Sequence, residues 1–174
     1  MFAGAAFSDS SDIQTGEAVD TLVALGVING FEDGSFRPDG TVTRAEMAKM
    51  IYVIRTGRSD ASAYNNDPTT FTDIDSHWGR GYIKYAQALG IIAGKSATKF
   101  DPDASVTTVE AAKMMLVTLG YNAENVGLVG ANWVRKTVAL ADENGLLKDV
   151  LVGSNSALPR QYAAQIYSRS GFPI

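Results

Sequence analysis

The chain contains no cysteine and a single histidine among its 174 residues. The first absence excludes thiol nucleophiles, disulfide frameworks and thiolate metal sites, and fits an extracellular bacterial protein as well as a cytosolic one. There is no run of lysine or arginine and the formal net charge is −4, which argues against nucleic-acid binding by phosphate neutralisation. No apolar stretch approaches the ~20 residues that span a bilayer. Neither a GxSxG elbow, a phosphate-binding glycine loop nor a zinc-ligand spacing occurs. His77 immediately precedes Trp78 at a predicted helix start, where a surface or capping role suits it better than general-base chemistry. Nothing here points to an enzyme, a cofactor or a metal.

What remains is a folding composition, 45% hydrophobic and 20% charged. The opening "MFAGAAF" is shorter than the apolar core of a signal peptide, yet Ala3-Gly4-Ala5-Ala6 resembles the small-residue flank of a cleavage site. Two expectations stand side by side: a secreted protein whose targeting segment has been trimmed, or a disordered start behind a methionine that is not native.

The strongest signal is self-similarity. "GSFRPDGTVTRAEMAKM" (34–50) returns as "TKFDPDASVTTVEAAKM" (98–114), a shift of 64 that keeps Phe36, Pro38, Asp39, Thr43, Glu46, Ala48, Lys49 and Met50. In the same register "FSD" returns as "FTD" and "ALGVING" (24–30) as "ALGIIAG" (88–94). A fainter third copy follows at a shift of 55, placing Trp133 on Trp78 and Gly145 on Gly90, and its "LPRQYAAQIY" (158–167) places Arg160 on Arg44. That copy lacks the FxPD segment, and its loop is shorter, 14 positions from Gly145 to Pro159 against 17 from Gly26 to Thr43. The predicted organisation is therefore three repeats, 7–57, 71–121 and 131–172, in one domain, with polar connections at 56–70 and 121–131.

Each copy reads as helix, turn, helix. Val19, Leu22, Val23 and Leu25, and in the second copy Trp78, Ile83, Ala86 and Leu89, fall at helical spacing. Gly26 and Gly90 stand where a C-terminal cap needs the left-handed conformation. Asp33-Gly34 supplies a turn, and Phe36 and Phe100 are predicted to plug a small core beneath it. Thr43-Arg44-Ala45-Glu46 and Thr107-Thr108-Val109-Glu110 fit the capping box, in which threonine and glutamate satisfy two helix-start amides. The stripe Met47, Met50, Ile51 and Ile54 then reads as core. Calcium fits poorly: counting back from Glu46 puts Ser35 and Arg37 at ligand positions, and counting back from Glu110 puts Lys99 first.

A capping box has no use for arginine at its second position, where the helix dipole mildly disfavours a cation. Arg44, and its recurrence as Arg160, suggest a receptor for a carboxylate or phosphate beside free helix-start amides. The alternative is a surface arginine paired with a neighbouring acid. An Arg44 side chain buried in an internal ion pair, or pointing away from any concave surface, would sink the receptor.

"GVINGFEDGSFRPDGTVTRAEMAKMI" and "FTDIDSHWGRGYIKYAQALGIIAGKSATKFDPDASVTTVEAAKMM" closely resemble the S-layer homology (SLH) repeat, and the third copy resembles the divergent last repeat of SLH triplets. The resemblance implies a mainly α fold: a pseudo-threefold arrangement with a central three-helix bundle, three lobes, and grooves between them. It implies a secreted, non-catalytic anchor on the bacterial cell wall or S-layer. The grooves would hold pyruvylated cell-wall glycopolymer, ending in pyruvylated N-acetylmannosamine, with Arg44 and Arg160 on the anionic ketal. Trp78 and Trp133 would stack on sugar or anchor the bundle; Asp9 and Asp73 would cap or wall a groove. Lys84 is a basic candidate for the second-copy region, and Thr108, replacing the arginine, implies a weak or altered site there. The rival readings are a protein–protein module in surface-layer assembly and the anchor of a larger secreted hydrolase.

Overall fold

The structure, a computed structural model, describes residues 7–171. The suggested cleavage-site flank at 3–6 and the last residue of the third repeat lie outside them. The described residues are mainly helical: α1 (Gly16–Ala24), α2 (Arg44–Thr56), α3 (Arg80–Ala88), α4 (Thr108–Thr118), α5 (Trp133–Glu143) and α6 (Arg160–Arg169). None of these helices is long and apolar enough to cross a membrane.

Both capping boxes form as the sequence requires. The Thr43 hydroxyl accepts from Glu46 N at 3.1 Å while Glu46 accepts from Thr43 N at 2.9 Å; Thr107 and Glu110 repeat the pair at 3.2 and 2.9 Å. Gly26 and Gly90 follow the ends of α1 and α3 with φ of +73° and +71°. Phe36 and Phe100 are fully buried, each against the ring that begins its copy, Phe7 at 5.2 Å and Phe71 at 5.3 Å. The methionine stripe of α2 is core.

Three sequence expectations need correction here. Leu25 and Leu89 are the residues just past α1 and α3, so they leave the apolar face and are half-exposed. Trp78 precedes α3 and is 54% exposed. The polar connection at 56–70 is also more than a linker. Its turn at Ser62–Tyr64 packs on α3, with Tyr64 edge-on to Tyr52 and Tyr85.

The copies interlock in cyclic order. α2 packs on α3, α4 on α5, and α6 on α1, so each second helix covers the first helix of the next copy. α4 also touches α2 and α6, and the Tyr167 hydroxyl of α6 donates to Met47 O of α2. Before the second helices, Val42 N donates to Leu158 O, Leu158 N to Val106 O, and Val106 N to Val42 O, closing a ring of three hydrogen bonds at 3.1, 2.9 and 2.8 Å. These contacts and hydrogen bonds run in a cycle through the three copies. The ring buries backbone polar groups without a sheet, since each finds its partner in a neighbouring copy.

Candidate ligand grooves

The same interlock consumes the helix-start amides. Arg44 N and Ala45 N donate to Ala104 O and Pro102 O, Thr108 N and Val109 N to Ser156 O and Ser154 O, and Arg160 N and Gln161 N to Gly40 O and Pro38 O. The expected free amides beside Arg44 are therefore absent: carbonyls of the next copy already satisfy them. α6 has a proline cap with no side-chain bond, and these carbonyls explain how its start is held.

The arginine side chains cross between copies. Arg44 reaches the second copy, giving Nε to Phe100 O at 2.8 Å, Nη2 to Ala93 O at 2.8 Å and Nη1 to Glu110 Oε2 at 2.9 Å, with Cζ 4.5 Å from the Phe100 ring centre. Arg44 is 4% exposed, buried and ion-paired internally, so the freely accessible receptor expected of it fails as stated. Three of its five N–H groups are used, and the side chain still lines a concavity of about 500 Å³. This groove 1 also takes Lys113 and Met114 from α4, the loop 90–95, and Trp133 from the third copy.

Arg160 repeats the geometry in the first copy. Its Nε gives to Phe36 O at 3.0 Å and its Nη2 to Asn29 O, with Cζ 4.7 Å from Phe31 and 4.8 Å from Phe36. It lines groove 2, about 370 Å³, together with Glu46, Lys49, Met50 and Trp78. Grooves 1 and 2 thus carry matched sets at equivalent positions, arginine from one copy, glutamate, lysine and methionine from the next, tryptophan from the one after. Burial lowers the pKa of both guanidinia, while Glu110 opposes the shift at Arg44 and Glu46 opposes it at Arg160.

A third concavity of about 350 Å³ has Gln14 where the others have tryptophan, Tyr162 for glutamate and Gln165 for lysine. Thr108, which replaces the arginine, is buried and donates to Ser156 O at 3.2 Å. It lines none of these three grooves, so the altered site expected in the second copy gains no contact from Thr108.

Two further expectations change. Lys84 is buried and gives its Nζ to Asn65 O at 2.7 Å, so it holds the 56–70 connection down and lines no groove. Asp9 and Asp73 are backbone clamps: each carboxylate takes two amides, Phe36 N and Arg37 N, or Phe100 N and Asp101 N, at 2.8–3.0 Å. They fix the plug rings whose carbonyls hold the arginines. His77 caps the approach to α3, accepting Gly79 N at Nδ1 and meeting Asp103 at Nε2. Sequence reasoning missed Lys49 and Lys113 as groove residues, although both recur in the shift-64 match with no capping duty to explain them.

The clamps give the fold an acid limit. Backbone amides, first that of Phe36, hold Asp9 below the usual carboxylate range. Burial pushes Asp73 and Glu110 up, but amide bonds at Asp73, and Lys95, Thr107 N and Arg44 at Glu110, leave both lowered. A folded pKa below the unfolded one gives stability that is full above about pH 4–5 and is lost as the pH falls through the folded value. Calorimetric melting temperature is therefore expected to hold between about pH 5 and 7 and to fall below about pH 4, with Asp73→Asn flattening that decline.

Residues 6–48 and 70–112 each match the S-layer homology domain. The surface layer protein of Brevibacillus choshinensis is 32% identical over 152 residues, 87% of this chain and 13% of that protein. The middle cell wall protein of Brevibacillus brevis is 29% identical over 84% of this chain and 14% of its own length. The cellulosome-anchoring protein of Acetivibrio thermocellus is 28% identical over 82% of this chain and 35% of its own length. This chain thus spans about an eighth to a third of the length of these relatives. With both matched stretches coinciding with the copies that carry the capping boxes, the chain belongs to the S-layer homology domain family.

Proposed function

We propose that this chain is a non-catalytic anchoring module of a bacterial surface protein, and that grooves 1 and 2 hold an acidic, pyruvylated sugar of cell-wall polymer. The matched triad of arginine, lysine and tryptophan in each groove carries this reading. A pyruvyl ketal presents one carboxylate on a compact ring. Arginine and lysine answer the charge, and a tryptophan flank answers the apolar face of the sugar. The small size of the grooves suits one or two sugar units. All three side chains come from different copies, so the site exists only when the repeats are assembled. The third copy, 131–172, is read as a divergent repeat that completes both grooves, giving Trp133 to one and Arg160 to the other. The protein's place is accordingly the cell wall, outside the membrane.

Sedimentation with purified cell-wall sacculi tests this. Wild-type protein is expected to co-sediment with native sacculi and to remain in solution with sacculi stripped of pyruvyl groups. Equal retention on both would point to protein or uncharged-glycan recognition and end the reading. Retention is also expected to weaken as salt rises toward 1 M, where the screening length falls to about 3 Å.

A further inference from the structure

We infer that the two arginine grooves are unequal receptors, and that Glu110 makes them so by standing in groove 1 as an internal anion. The inference rests on the glycan-anchor reading above. In groove 1 one oxygen of Glu110 accepts both Arg44 Nη1, at 2.9 Å, and Lys95 Nζ, at 2.7 Å, while the other takes the capping amide of Thr107. In groove 2 the equivalent Glu46 takes its capping amide in the same way but makes no ion pair with Arg160. Arg160 Nη1 has no hydrogen bond among the described residues, and its guanidinium is held by two aromatic rings instead of one.

One position accounts for the difference. Residue 95 is lysine, and its partner in the first copy is Phe31. Lys95 pairs with the Glu110 carboxylate that also pairs with Arg44, whereas Phe31 lies against the Arg160 guanidinium and Glu46, though its charge acts on Arg160, makes no ion pair among the described residues. A ligand carboxylate entering groove 2 meets an open N–H edge. Entering groove 1, it must displace a carboxylate already bonded there or settle beside a like charge. Groove 2 is therefore the tighter receptor, and groove 1 is closed by its own side chain until ligand competes.

The test uses the methyl glycoside of 4,6-pyruvylated N-acetylmannosamine as a monovalent probe in titration calorimetry. Arg44→Ala leaves groove 2 alone and Arg160→Ala leaves groove 1 alone. The Arg44→Ala protein is expected to bind about tenfold more tightly than the Arg160→Ala protein. Adding Glu110→Gln to Arg160→Ala should recover about tenfold, because glutamine keeps the cap but not the charge. Adding Glu46→Gln to Arg44→Ala should change affinity less than about threefold. Thermal melts establish that each variant is folded, and if Glu110→Gln does not fold, the comparison of the two arginine variants still decides. Equal affinities of the two single-groove proteins, or no gain from folded Glu110→Gln, overturn the inequality while leaving the glycan reading in place. Absence of probe binding by wild type overturns both.

Discussion

Alanine at both position 44 and position 160 is expected to reduce retention on pyruvylated wall polymer at least a hundredfold, to background. Each guanidinium offers charge-assisted hydrogen bonds worth about 1.5–3 kcal/mol, and loss of about 2.8 kcal/mol is a hundredfold in binding. The single variants should lose less, because each leaves one complete groove, and Arg160→Ala should lose more than Arg44→Ala. The buried setting demands a stability control. Arg44→Ala strands Phe100 O and Ala93 O and leaves Glu110 with Lys95 as its remaining cation. We expect that change to cost about 2 kcal/mol, below the 3–5 kcal/mol of a fully orphaned buried charge. Arg160→Ala removes no ion pair and should cost about 1 kcal/mol. Binding is therefore read well below the melting temperature, with circular dichroism of every variant. A folded double variant that sediments with sacculi like wild type would remove both arginines from the site.

How much of this was legible in the sequence depends on how far each interaction reaches. The capping boxes, the cap glycines and the two phenylalanine plugs were readable because each is settled within a few residues, and recurrence at shift 64 marked them as required. The destination of Arg44 was not. Its partners lie 49, 56 and 66 positions away, and no local rule links them. The receptor reading expected a free guanidinium beside free amides, whereas Arg44 lines a concavity with an internal carboxylate on it and its helix-start amides already bonded. Lys84 lies away from the grooves for a related reason: the polar connection at 56–70 folds back and offers Asn65 O to its ammonium. Asp9 and Asp73 show the opposite case. Both clamp amides 27 and 28 positions on, and that equal spacing was already present as a repeated F-x-D before a repeated F-x-P-D. The third copy kept its arginine but not its capping box: Pro159 at the cap has no N–H for an acid to satisfy, and Tyr162 N turns back to Pro159 O at 3.0 Å.

The loop that receives Arg44 depends on a residue with no side chain, and Gly94→Ala is expected to lower stability by about 3 kcal/mol, the upper end of overpacking costs. A Cβ there would stand 2.3 Å from Ser96 O, 2.6 Å from Cε1 of Phe71 and 2.7 Å from Lys99 O. Two of these are backbone oxygens of the same tight loop, and the ring belongs to the buried core, so none can yield cheaply. Gly30 faces the same restriction in the first copy, 2.3 Å from Cε1 of Phe7, which is why the last glycine of both "GVING" and "GIIAG" is kept. For a chain of this length the loss corresponds to a fall in melting temperature of about 6–12 °C. The damage should also reach the site. Ala93, whose carbonyl accepts Arg44 Nη2, is the preceding residue, and moving it withdraws one of the three bonds that orient the guanidinium. In an Arg160→Ala background, Gly94→Ala should therefore weaken groove 1 by about tenfold even at temperatures where the protein is folded. Gly16→Ala is the control, since a Cβ at that position meets nothing within 4 Å, and it should melt within about 2 °C of wild type. A Gly94→Ala protein that melts with wild type would mean that the loop carries slack, and that the arginine's position is set elsewhere.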